Sequence, residues 1–147
     1  MVTYEELHSD IHKVTELSNV LDYLIDNRPL LDTELSCQLF YQYFDEVAEH
    51  LEKVDKNLYH PLLGSSASDT TKIAEKYMSG SQEIKRVIHD YMRHWCNKKQ
   101  SSLKISNYDD FKVETRKIFS LVLMRMQDET EHLYPAVKTV TGDALAA

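Results

Sequence analysis

The sequence predicts an all-α protein, an antiparallel four-helix bundle assembled from two helical hairpins. Three observations carry that expectation. Gly and Pro number only three each in 147 residues, so tight turns are few. Apolar residues recur at helical spacing along four stretches, each roughly 25 to 30 residues long. The links between them are short, and short links place successive helices antiparallel.

The first helix is expected over 3–26. Thr3 and Glu6 make a capping-box start, and Tyr4, Leu7, Ile11, Val14, Leu21 and Ile25 share one face. Pro29 in "NRPLLDTE" breaks it, because proline lacks the N–H a helix interior needs. The second helix is expected over 32–60, with Phe40, Tyr43, Val47, Leu51, Val54 and Leu58 inward. The polar linker "GSSASD" follows at 64–69. The third is expected over 70–98, carrying Ile73, Tyr77, Ile84, Ile88, Tyr91 and Trp95, with Gly80 marking a bend or a close backbone approach. The fourth is expected over 108–136, capped by Ser106 or Asn107, with Phe111, Ile118, Val122, Met126 and Leu133 inward. One domain follows: a first hairpin over 1–63, a second over 70–137, and a frayed tail over 138–147.

Composition excludes several function classes. Apolar residues make up 42% and charged residues 28% of the chain, as in a soluble globular protein. A net charge of −7 with no basic stripe argues against nucleic acid. No apolar run approaches the roughly 20 residues that span a bilayer, and the acidic start "MVTYEELHSD" is not a signal peptide. Cys37 and Cys96 stand far apart in sequence and read as two reduced thiols of a cytoplasmic protein. There is no Gly-rich phosphate loop, nucleophile elbow or zinc spacing. His94 in "YMRHWCNKK" would be the phosphorylation site of a histidine-phosphotransfer bundle, but Met92 and Trp95 crowd it.

The two hairpins echo each other. "DKNLYHP" (55–61) and "DETEHLYP" (128–135) end their helices with the same Leu-Tyr pair followed closely by Pro. Aligning Leu58-Tyr59 with Leu133-Tyr134 sets His50 on Arg125 and Val54 on Glu129; "HSDI" (8–11) falls on "SQEI" (81–84). His8 and His50 are 42 residues apart, and Ser81 and Arg125 are 44 apart. The two separations differ by two residues and are independent of the Leu-Tyr alignment.

A His opening the first helix, followed by an acidic helix with His-x-x-x-Glu spacing and a Leu-aromatic-Pro ending, resembles the hemerythrin-like (HHE cation-binding) domains over nearly the whole chain. The resemblance implies two pseudo-repeated hairpins around a non-haem iron centre, each half giving one His from its first helix and His-x-x-x-Glu from its second. An i, i+4 pair lies on one helix face, and four helices converge on the cations. Of the six positions so implied, His8, His50 and Glu129 carry ligand-type side chains, whereas Val54, Ser81 and Arg125 do not. His12 and Asp55 fit the family's other spacings and are secondary ligands on this reading. Arg125, whose fixed charge repels a metal, is expected to pair with Glu129 in the core in place of metal. The function so implied is binding or sensing of iron, O2 or NO at a reduced centre, without substrate turnover, by a protein with no nucleic-acid or membrane partner. The alternative is a metal-free bundle acting as a structural or protein-interaction module. Pairing of two chains into a homodimer stays open. His60, His89, His94 and His132 read as surface or interface residues, and Tyr59 and Tyr134 as packing at the helix ends.

Overall fold

A computed structural model describes residues 2–65 and 68–142. The chain is almost entirely helical. Helix α1 runs Tyr4–Ile25, opened by Thr3, whose hydroxyl accepts the Glu6 N–H at 3.1 Å. Pro29 does not simply stop the chain: it sits in the first turn of a short helix α2, Arg28–Leu31, where a missing N–H costs nothing. Thr33 then caps α3, Glu34–Asn57. One residue, Leu58, leaves the helix before α4 resumes as Tyr59–Leu63. Helix α5 spans Ser68–Trp95. The link expected after it is a small antiparallel hairpin, β1 Cys96–Asn97 against β2 Ser102–Leu103. Asn107 caps α6, Tyr108–Asp128, by accepting the Asp110 N–H.

The fourth helix does not run unbroken to 136. After α6 the chain makes a π turn, Glu129–Leu133, and re-enters α-helix as α7, Tyr134–Thr141. The Tyr134 N–H reaches back five residues to the Glu129 carbonyl. Gly142 ends α7 at φ 62°, the left-handed conformation glycine tolerates. Residues 138–141, expected to fray, are therefore helical, because Val137 is fully buried and holds this segment down. The rest of the expected tail, 143–147, lies outside the described residues.

The two Leu-Tyr pairs now have a common explanation. Leu58, Tyr59, Leu133 and Tyr134 are all buried. Neighbours on an α-helix point about 100° apart, so burying both members of an adjacent pair needs a local change of phase. The first half makes it by dropping Leu58 out of the helix, the second by widening one turn. Pro61 and Pro135 then sit in the first turns of the restarted helices, where proline is tolerated.

Among the long helices, α1 packs on α3 and α6, and α5 packs on α3 and α6. The start of α6 meets the end of α1, where the Tyr108 hydroxyl donates to the Ile25 carbonyl. One apolar cluster gathers Phe40, Tyr43, Trp95 and Phe111, and a second gathers Leu7, Val54, Leu58, Tyr77, Leu133 and Val137. Along α3 the first cluster ends at Leu51 and the second begins at Val54; along the fourth stretch they divide between Met126 and Leu133. His50 and Glu129 fall at this boundary. Among the described residues no helix is long and apolar enough to cross a membrane.

Candidate functional site

Side chains from α1, α3, α4, α5, α6, the π turn and α7 form a charged cluster between the two apolar clusters. Its centre is His50 on α3, wholly buried. The ring faces Glu129 through Nε2, 2.6 Å from Oε1, and Asp10 of α1 through Nδ1, 3.3 Å from Oδ2. Carboxylate oxygens only accept, so the imidazole donates from both nitrogens and carries a proton on each. Burial opposes that charge, but the hydrogen bonds and negative charges of Asp10 and Glu129 outweigh it and push the His50 pKa up to about 9. Asp10 is in turn held at both oxygens by Lys53 Nζ, each at 3.1 Å. Burial alone would raise its carboxyl, yet the hydrogen bonds from His50 and Lys53 keep it below the usual value.

Glu129 faces a second cation. Arg125, one turn earlier on α6, donates from Nε to Glu129 Oε2 at 2.7 Å. Its Nη1 donates to the Tyr77 carbonyl at 3.0 Å and its Nη2 to the Tyr59 hydroxyl at 2.9 Å. The guanidinium also lies over the Tyr77 ring, 4.9 Å from its centroid. Gly80 makes room for it: a Cβ there would stand 3.0 Å from Nη1. The Tyr134 hydroxyl completes the shell, donating to Glu129 Oε1 at 3.3 Å. Burial and the neighbouring Glu129 charge raise the pKa of that phenol. The charges thus alternate, Lys53 plus, Asp10 minus, His50 plus, Glu129 minus, Arg125 plus. Each carboxylate lies between two cations, which is how ionised groups are kept in a core without large net cost.

The expected ligands do not all converge. His50 and Glu129 meet directly, and the Arg125 to Glu129 pair forms. His8 does not reach His50. It lies on the exposed side of α1, edge-on to Tyr134 with ring centroids 5.7 Å apart. The inward phase of α1 is set by Leu7, Val14 and Leu21 at seven-residue spacing, so position 10, three after Leu7, points inward and position 8 does not. His12 is solvent-exposed and pairs with Glu16 at 3.0 Å. Asp55 is taken up by the second hairpin: its Oδ2 accepts from Ser81 Oγ at 3.1 Å and from Lys85 Nζ at 2.7 Å. Val54 is fully buried and offers no donor. The gap beside His50, lined by Val47, Ile84, Val122 and Arg125 among others, has no room for a water molecule. Among the described residues no group of three or more His, Cys, Asp or Glu side chains is arranged to hold a metal ion.

A di-iron centre therefore does not fit this donor set. Three of its six positions cannot ligate, a fourth faces solvent, and a guanidinium occupies the space beside Glu129. Five participants escaped sequence reasoning as site residues: Asp10, Lys53, Tyr59, Tyr77 and Tyr134. Asp10 and Lys53 had no part in the sequence reading, although Asp10, three residues after Leu7 and four before Val14, lies toward the inward face of α1. Tyr77 acts through its backbone carbonyl and ring face. Tyr134 enters only because the π turn rotates it inward, five residues after Glu129. Comparison with family models, curated proteins and solved structures gives no match for this chain.

Proposed function

We propose that this chain is a hemerythrin-like antiparallel four-helix bundle that works without a di-iron centre, as a structural or protein-interaction module. The observation that carries the reading is the Arg125 guanidinium, 2.7 Å from Glu129, at a position where the resemblance would have a histidine ligand. A permanent cation there repels a metal and neutralises the one carboxylate of the second hairpin that could bind it. The ion chain does by itself what bridging metals do in such a core: it ties α1, α3, α6 and, through Tyr59 and Tyr77, α4 and α5 into one register. Contacts between the end of α1 and the start of α6, and between Asp10 near the start of α1 and His50 near the end of α3, support the antiparallel arrangement. The rival reading, an iron centre that binds O2 or NO, would have to rest on His50 and Glu129 alone, with Arg125 turned away.

Elemental analysis of protein purified from iron-supplemented cells tests this. Iron well below one ion per chain is expected, with a melting temperature unmoved by Fe(II) or by chelator, because a ligand bound only to the native state must raise it. Stoichiometric iron removed by chelator, with a fall in melting temperature, would overturn the proposal.

A further inference from the structure

The outward side of α6 leaves four apolar side chains uncovered, with Val113 and Met124 on its outermost stripe and Leu121 and Leu123 on its two flanks. Val113 is 54% exposed, Leu121 36%, Leu123 44% and Met124 67%. Val113, Lys117, Ser120, Met124 and Gln127 follow helical spacing and form one stripe on α6, and Glu131 lies just past its end, in the π turn. Residues 118–124 contain no charge. Beside the stripe, a cleft between α5 and α6 opens as two hollows of about 410 and 480 Å³ that share Leu121. Ile84, Val87 and Ile118 form its apolar lining, and Met124 stands on its edge.

We propose that this face binds a second copy of the same chain, with two α6 helices crossing antiparallel about a twofold axis at Met124. The pattern of charge on the stripe selects that occupant. Lys117 lies seven residues before Met124 and Glu131 seven residues after it. Both are exposed, and neither has an ion-pair partner among the described residues. Within one chain they are separated by most of the second half of α6 and part of the π turn, roughly 20 Å at ~1.5 Å per residue, beyond reach of each other. An antiparallel copy turned about Met124 sets Lys117 of each chain opposite Glu131 of the other, so both pairs form at once. That is the self-complementarity a closed twofold interface requires. The uncharged run falls on the axis, where two chains of net charge −7 would otherwise repel most. Leu121 of each copy then lies beside the stripe of the other, and the ridge of one α6 enters the α5/α6 cleft of its partner. The pairing holds whether or not the core takes metal.

The test is sedimentation velocity over a concentration series, with circular dichroism to verify that each variant is folded. The wild-type chain should pass from monomer to dimer as concentration rises. Met124→Glu places two carboxylates at the axis and should leave only monomer over the same range. Lys117→Glu and Glu131→Lys should each weaken the dimer about tenfold, since each changes two exposed pairs at once. Combining them swaps the charges, and the dimer constant should return to within about threefold of wild type. That rescue cannot arise inside one chain. A chain that stays monomeric at every concentration, a dimer indifferent to Met124→Glu, or a double variant no better than the single ones would each overturn the proposal.

Discussion

Replacing Arg125 by Met tests the ion chain directly. Methionine has nearly the length of the arginine stem, so packing is largely kept while the charge and the hydrogen bonds to Glu129, Tyr77 and Tyr59 are lost. Glu129 is fully buried and retains only His50 and Tyr134. Removing one partner of a buried pair costs about 3 to 5 kcal/mol. His50 still faces the carboxylate at 2.6 Å, so the lower end applies, about 3 kcal/mol. Glu129→Leu should cost a similar amount, because it strands the guanidinium and removes the Nε2 acceptor of His50. Were the two independent, the double variant would lose about 6 kcal/mol. Arg125→Met with Glu129→Leu instead removes both charges and leaves His50 with Asp10, so it should recover about 2 kcal/mol of that sum. Urea denaturation at pH 7 reads the cycle, followed by far-ultraviolet circular dichroism and by the fluorescence of Trp95, the single buried tryptophan. Costs that add to within about 0.5 kcal/mol would refute the coupling and with it the claim that this pair holds the core.

Three further outcomes follow from the same cluster. His50 is raised from 6.5 to about 9, so its protonated form stabilises the fold fully below about pH 6.5 and that contribution disappears as pH rises through 9. The loss should reach about 3 kcal/mol, and a urea stability profile between pH 6 and 10 should flatten in His50→Leu; an unchanged slope would count against the doubly protonated ring. Gly80→Ala should destabilise the wild-type chain by about 1 kcal/mol despite alanine's better helix propensity, because the new Cβ meets the held Nη1 of Arg125 at 3.0 Å. In an Arg125→Met background the same change should become stabilising, and thermal melts of the four variants would reveal a sign that fails to reverse. Finally, Arg125→His with Val54→Glu and Ser81→His restores ligand-type residues at three positions and should raise iron uptake above that of the parent, as measured by elemental analysis; equal uptake would remove support for the hemerythrin-like register.

The helices were legible because periodicity and caps act locally. Thr3 and Asn107 each cap where a polar side chain precedes an apolar run, whereas Thr33, the cap of α3, fell inside the helix expected from 32; the Arg125 to Glu129 pair needs only i, i+4 geometry. Gly80 was legible as a close approach, although not what approached it. What sequence could not supply was phase. The α1 stripe of Tyr4, Leu7, Val14, Leu21 and Ile25 is buried as expected, but the family resemblance set the ligand at His8, whereas that stripe turns Asp10 inward. The π turn hid in the same way: adjacent buried Leu133 and Tyr134 signal a slip, but only once both are known to be buried. Lys53 joined the site through a long side chain that reaches Asp10 from the surface, 41% exposed at its own position.

The order in which the charged cluster can assemble is fixed by where its members lie along the chain. Asp10 and His50 are 40 residues apart, Tyr59 and Arg125 are 66 apart, and His50 and Glu129 are 79 apart. During synthesis from the N-terminus, the first hairpin can bring His50 to Asp10 early, while the ring's other nitrogen has no acceptor. Arg125, Glu129 and Tyr134 lie close together in sequence, at the end of α6, in the π turn and at the start of α7, so the remaining partners of His50 and Tyr59 come from one short segment. A chain that stopped short of residue 129 would leave His50 with Asp10 as its one partner and would lack the ion pair that joins α3 to the π turn.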